Sequence, residues 1–201
     1  MSGKFRHLVY ASLFIVSNAV TAQSQKWDFQ VFLDDQPIGH HHFTLRDSAT
    51  ERELKSEARF DVKLLFITAY RYTHDATERW RGNCLAQITA RTDDNGKKSE
   101  VGTEPTEGCV MSFAYWNPEM LQQTRLLNAQ TGKLETVTIT AMGEEKISLR
   151  GTQTPAKRYR ITGPKHPIDF WYGADRSWLA LQSTLESGRR LRYQLKLKNS
   201  F

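Results

Sequence analysis

The chain holds only two cysteines and six prolines in 201 residues. Two cysteines fall short of a four-ligand zinc site, and no Cys or His stands at ligand spacing beside either one. No internal repeat, low-complexity run or Pro/Ser linker divides the chain. After the first residues no segment has the roughly 20 apolar residues that a membrane span needs. The common catalytic signatures are missing as well: there is no nucleophile elbow, phosphate-binding glycine loop, paired-histidine zinc helix or acidic calcium loop. Their absence does not by itself exclude an enzyme, since catalytic triads are defined by geometry and not by spacing. Charge of one sign is weak too, with 28 basic against 22 acidic residues. Solubility accounts for such an excess, and no nucleic-acid partner is expected.

What is present begins at the N-terminus. Lys4, Arg6 and His7 form a basic region, Leu8 to Val16 a mostly apolar run, and Val20-Thr21-Ala22 small residues at cleavage positions. That is the layout of a secretory signal peptide over residues 1–22. Residues 23–201 are then one exported domain, long enough for a core. It is expected to be soluble in the periplasm with no transmembrane span once the signal is cleaved. In that compartment Cys84 and Cys109 are expected to form a disulfide, the alternatives being two free thiols or half of a metal site.

Period two recurs along the domain. Trp27, Phe29, Val31 and Leu33 share one face of a strand, and His41, Phe43 and Leu45 one face of the next. Leu54, Ala58, Phe60 and Val62 alternate with Glu53, Lys55, Glu57 and Arg59, and Leu191, Tyr193 and Leu195 with Arg190, Arg192 and Gln194. Asp34-Asp35, Gly82-Asn83, Asn95-Gly96, Met142-Gly143-Glu144 and Gly163-Pro164 read as turns. One short helix is expected from Pro118 to about Gln123, capped by Asn117. The pattern predicts an all-β fold of about twelve strands. Sequence neighbours pair antiparallel in one strongly curled sheet, a half-barrel or β-spiral, because so large a sheet must close or curl. The run from Leu64 to Ala69 breaks the alternation and reads either as a doubly buried strand or as an apolar lip.

Two aromatic clusters stand out: Phe113, Tyr115 and Trp116 before Asn117-Pro118, and Phe170, Trp171 and, after a turn, Trp178. Neighbouring strand residues face opposite sides, so these six supply either core packing or a platform for an apolar ligand. Arg176, Arg189 and Arg190 lie near turns, as solvated charges or as partners of an anionic head group. His40 and His42 point the same way, but no third metal ligand can be nominated, and neither metal nor cofactor is expected.

The segments Phe113-Ala114-Tyr115-Trp116-Asn117-Pro118, Leu126-Leu127-Asn128-Ala129-Gln130-Thr131-Gly132 and Trp171-Tyr172 resemble the uncharacterised exported proteobacterial family known as domain of unknown function 6134. That family brings no established activity. A looser, architectural similarity is to periplasmic proteins with a curled antiparallel sheet, such as the lipoprotein carriers LolA and LolB, RseB, and disulfide-containing β-spiral envelope proteins. The expected function is therefore non-enzymatic binding of a lipid-like or hydrophobic ligand in envelope maintenance. The alternatives are an interaction module of the envelope, or an enzyme acting on lipid or glycan if a cavity converges on two or more polar residues such as His74, Asp75, Glu78 or Asp169.

Overall fold

The computed structural model describes residues 24–48, 50–64, 67–105 and 108–196. The expected export signal lies outside them. Among the described residues fourteen strands form: β1 (Ser24–Leu33), β2 (Gln36–Asp47), β3 (Arg52–Leu64), β4 (Ile67–Arg81), β5 (Cys84–Asp94), β6 (Lys97–Thr103) and β7 (Met111–Ser112). They continue with β8 (Arg125–Leu127), β9 (Leu134–Thr136), β10 (Thr138–Leu149), β11 (Thr152–Thr162), β12 (Ile168–Tyr172), β13 (Trp178–Thr184) and β14 (Arg190–Leu195). Three of these strands, β7, β8 and β9, are too short to show a period.

Eleven strands make one antiparallel sheet in the order β10-β11-β12-β13-β14-β1-β2-β3-β4-β5-β6. The two ends of the described chain meet inside it, where β1 pairs with β14 and Val31 lies opposite Tyr193. β6 and β10 are its edges. The other three strands form a small second sheet in which β7 and β8 run parallel, an exception to the pairing expected from local turns.

Three local readings change. Met142-Gly143-Glu144 is no turn: β10 runs through it with a bulge, the register shifting between Ala141 and Gly143. Met142 is the extra, unpaired residue, and Gly143 after it takes φ +108°, which costs a glycine little. The expected helix is a single 3-10 turn from Pro118 to Gln122, with the Asn117 side chain accepting from the Glu119 N–H. Ile67, 73% exposed, and the exposed Thr68 and Ala69 begin β4 at the tip of the β3–β4 hairpin, not in a doubly buried strand. Leu65 and Phe66 lie outside the described residues.

The core sits between the main sheet and residues 109–137, which cross one face of it. Met111, Met120 and Leu126 of that segment are fully buried with Phe29 of β1, Trp80 of β4, Ile161 of β11 and Phe170 of β12. Polar ties hold the segment at both sides: the Leu85 N–H donates to the Val110 carbonyl (2.8 Å), Ser99 to the Gln130 carbonyl (3.3 Å), and the Tyr172 hydroxyl to the Tyr115 carbonyl (2.8 Å). The Cys84–Cys109 disulfide forms as expected, at the point where the segment enters. A second cluster on Val31, Leu33, Ala58, Phe60 and Tyr72 continues the apolar surface. Gly39 makes this packing possible, because a Cβ there would stand 1.9 Å from the Arg59 carbonyl oxygen.

Candidate functional site

Cross-strand register brings polar residues together on the covered face. His41 on β2 lies opposite Ala58 on β3, which lies opposite His74 on β4, which lies opposite Thr92 on β5. Beside that row, Phe43, Ser56, Ala76 and Ala90 make another. The small side chains leave room for the imidazoles. His41 Nε2 and the Ser56 hydroxyl share a hydrogen bond of 2.7 Å, and His41 Nδ1 meets the Tyr193 hydroxyl at 3.3 Å. The His41 ring stacks on Phe43 with centroids 4.0 Å apart. His74 Nδ1 is bonded to the Thr92 hydroxyl at 2.8 Å.

Burial, then the basic neighbours His74, His42, His40 and Arg59, holds the His41 imidazole well below the usual histidine range. Burial likewise lowers His74 and raises the phenols of Tyr115 and Tyr193. Yet His41, Tyr115 and Tyr193 are half-buried, as are Phe43, Phe113 and Leu181, while their neighbours Phe29, Phe170 and Trp178 are sealed. These side chains therefore form a half-buried band that keeps accessible surface beside the sealed core.

The aromatic residues singled out from the sequence divide three ways. Tyr115 meets Phe170 (5.5 Å between centroids) and Trp178 (5.2 Å), with Phe113 beside it at 6.5 Å. Trp116 turns the other way, edge-on to Trp80 at 5.3 Å and under the Arg52 guanidinium at 4.7 Å. Trp171 lies with Ala156 and Leu179 in a separate cluster, donating to Glu145 at 2.7 Å beneath Arg158. Only Phe113 and Tyr115 keep appreciable accessible surface. Two open depressions, of about 410 Å³ beside Cys109 and Leu127 and about 220 Å³ beside Asp47 and Glu51, contain none of the six.

A model of the domain of unknown function DUF6134 matches residues 29–196, most of the chain. The chain belongs to the DUF6134 family. No curated protein matches it. Among solved structures it is similar to a beta-barrel-like protein of domain of unknown function DUF1849 from Brucella abortus, at 10% identity and a TM-score of 0.53. The match covers 85% of this chain and 94% of that one. At that identity it speaks for the fold alone.

In this DUF6134 chain the nominated acid–base residues do not converge. His74 and Glu78 are buried on the covered face, but Asp75 pairs outward with Arg59 at 2.7 Å and Asp169 with Arg158 and Arg160 at 2.6 and 2.7 Å. Arg189 is tied to Asp34 at 2.8 Å, Arg176 to Glu119 at 3.4 Å, and the Arg190 N–H to Asp34 at 2.9 Å. On the opposite face His42 Nδ1 is bonded to Asp28 at 2.5 Å, with the His40 ring 4.5 Å away. Among the described residues no three His, Cys, Asp or Glu stand together as metal ligands. The His41–Ser56–Tyr193 contact could not be found by spacing, since Tyr193 is 152 residues from His41. The signal that was available is a histidine on the apolar side of an alternating strand.

Glu78 gives a pH prediction. Burial pushes its carboxyl up to about 7, although the Ser112 hydroxyl and the Trp80 Nε1–H beside it pull the other way. The folded state therefore keeps a proton that the unfolded chain loses above its ordinary value, 4.5. The unfolded state binds fewer protons in that window, so stability falls as pH rises from about 4.5 to about 7, by roughly 3 kcal/mol. Urea unfolding of the wild type at the two ends of this window should show that loss, and Glu78→Gln should abolish most of it. A wild type equally stable at both ends would refute the assignment.

Proposed function

We propose that this is an exported periplasmic protein, cleaved after Ala22 to leave residues 23–201 as one domain, that carries a lipid-like or other hydrophobic ligand without chemistry on it. The observation that carries the reading is the half-buried band of His41, Phe43, Tyr115, Leu181 and Tyr193 inside the fold. Pockets for small apolar ligands are concave and mostly apolar, with a few fixed polar groups, and this band has that composition.

A strongly curled sheet supports it. Tyr115 and Trp116 are adjacent, yet one touches Phe170 on β12 and the other Trp80 on β4. Those strands stand six places apart in the sheet, roughly 29 Å if it were flat. Curling brings them to opposite walls of one concavity, in keeping with a barrel-like neighbour.

The test is to express the full chain in a Gram-negative host and purify it from the periplasmic fraction. Organic extracts analysed by mass spectrometry should contain co-purified lipid, and the delipidated protein should take up an apolar fluorescent probe such as phenylnaphthylamine. Absence of both would end the carrier reading. A second reading, an interaction module, is favoured by β10, a 12-residue exposed strand at a sheet edge. Unpaired edges template further strands. Capture of a specific protein partner together with no lipid signal would select it.

A further inference from the structure

Resting on the carrier reading, we propose that the half-buried band selects apolar molecules whose buried end is an uncharged hydrogen-bonding group (a hydroxyl, an ester carbonyl or a protonated carboxyl), met by the Tyr193 hydroxyl, His41 and Ser56.

The argument is one of donor and acceptor inventory. His41 is held between the Ser56 hydroxyl at 2.7 Å and the Tyr193 hydroxyl at 3.3 Å, and Phe43 covers one face of its ring. Each hydroxyl keeps capacity beyond its bond to His41, and each can donate or accept by rotating its proton. That suits a neutral partner of either polarity. Among the described residues, no Lys or Arg is bonded to His41, Ser56 or Tyr193. Lys55, Arg59 and Arg192 on the adjoining strands alternate onto the opposite face, and Arg59 is engaged there with Asp75 at 2.7 Å and the Ala58 carbonyl at 2.7 Å. The groups whose charge reaches His41 are the basic His74, His42, His40 and Arg59, and with burial they keep its imidazole neutral. A carboxylate entering this site would leave water without gaining an ion pair, which is costly. The same carboxyl, protonated, would cost little.

The probes are dodecanol, methyl dodecanoate, dodecanoate and dodecane, each displacing phenylnaphthylamine from the delipidated full-length protein. At about pH 8, dodecanol and the methyl ester are expected to bind at least tenfold more tightly than dodecanoate. Dodecanoate should gain affinity as pH falls toward its own pKa, while dodecanol should not change. Tyr193→Phe, which keeps the ring, should weaken dodecanol by about tenfold and leave dodecane unaffected, and Ser56→Ala should act the same way to a smaller extent. Dodecanoate binding as tightly as dodecanol at about pH 8, or dodecanol insensitive to both substitutions, would overturn the proposal while leaving the carrier reading intact. Failure of all four probes, dodecane included, would instead overturn the carrier reading.

Discussion

Trp178→Ala is expected to lower the free energy of unfolding by about 3–5 kcal/mol, a large fraction of what a domain of this size possesses. Trp178 starts β13, is 2% exposed, and joins parts of the chain that are distant in sequence. Its ring stands 4.5 Å from Phe29, 5.1 Å from Phe43 and 5.2 Å from Tyr115. Its Nε1–H is satisfied by the Ala180 carbonyl at 3.0 Å. Truncation leaves a void against strands that cannot collapse into it, since each is held in a ladder on both sides. Trp171, almost adjacent in sequence, is the control. It packs on the other face against Ala156 and Leu179 and under a solvent-reaching arginine, so Trp171→Ala should cost clearly less. Urea unfolding followed by circular dichroism reads both. Equal losses for the two variants, or a loss below about 1 kcal/mol for Trp178→Ala, would mean that this ring is not the centre of the core.

Replacing both cysteines, Cys84→Ser with Cys109→Ser, should cost about 3 kcal/mol, the loop-closure entropy of a 25-residue separation. The expected damage is local as well as global. The bridge joins the start of β5 to the entry of the segment that covers the sheet, next to the bond from the Leu85 N–H to the Val110 carbonyl. Without it the covering segment loses its tether at that end, whereas the ladders of the main sheet keep all their partners. Limited proteolysis of the double variant should therefore cut first between residues 104 and 137. A variant as stable as the wild type, or cut first in the β1–β4 strands, would contradict this role.

The two variants act on different parts of one arrangement. Trp178 seals the covering segment against β13 and β1, and the disulfide anchors it at β5. Phe43 and Tyr115 of the half-buried band pack directly on Trp178, and His41 stacks on Phe43.

Much of the architecture was legible in the amino-acid order. Alternation marked strands such as β1, β4 and β5 because each has one wet and one dry face, and the Asn95-Gly96 and Asp34-Asp35 turns were visible because few residues take positive φ cheaply. Asn95 and Asp34 do so, at φ 52° and 56°. The disulfide followed from the expected compartment, and the family followed from the Phe113 to Pro118 and Leu126 to Gly132 segments. Tertiary packing alone decided the rest. It made a bulge of Gly143, paired β1 with β14, and laid residues 109–137 across the sheet. It also sent Trp116, Trp171 and Trp178 to three different environments and set His41 against Tyr193. The physical reason is range. A strand's faces and a turn's geometry are settled by residues within a few positions of one another, and composition records them. That β1 pairs with β14, and what lies over the covered face, depends on contacts tens to more than a hundred residues apart, which leave no period to read.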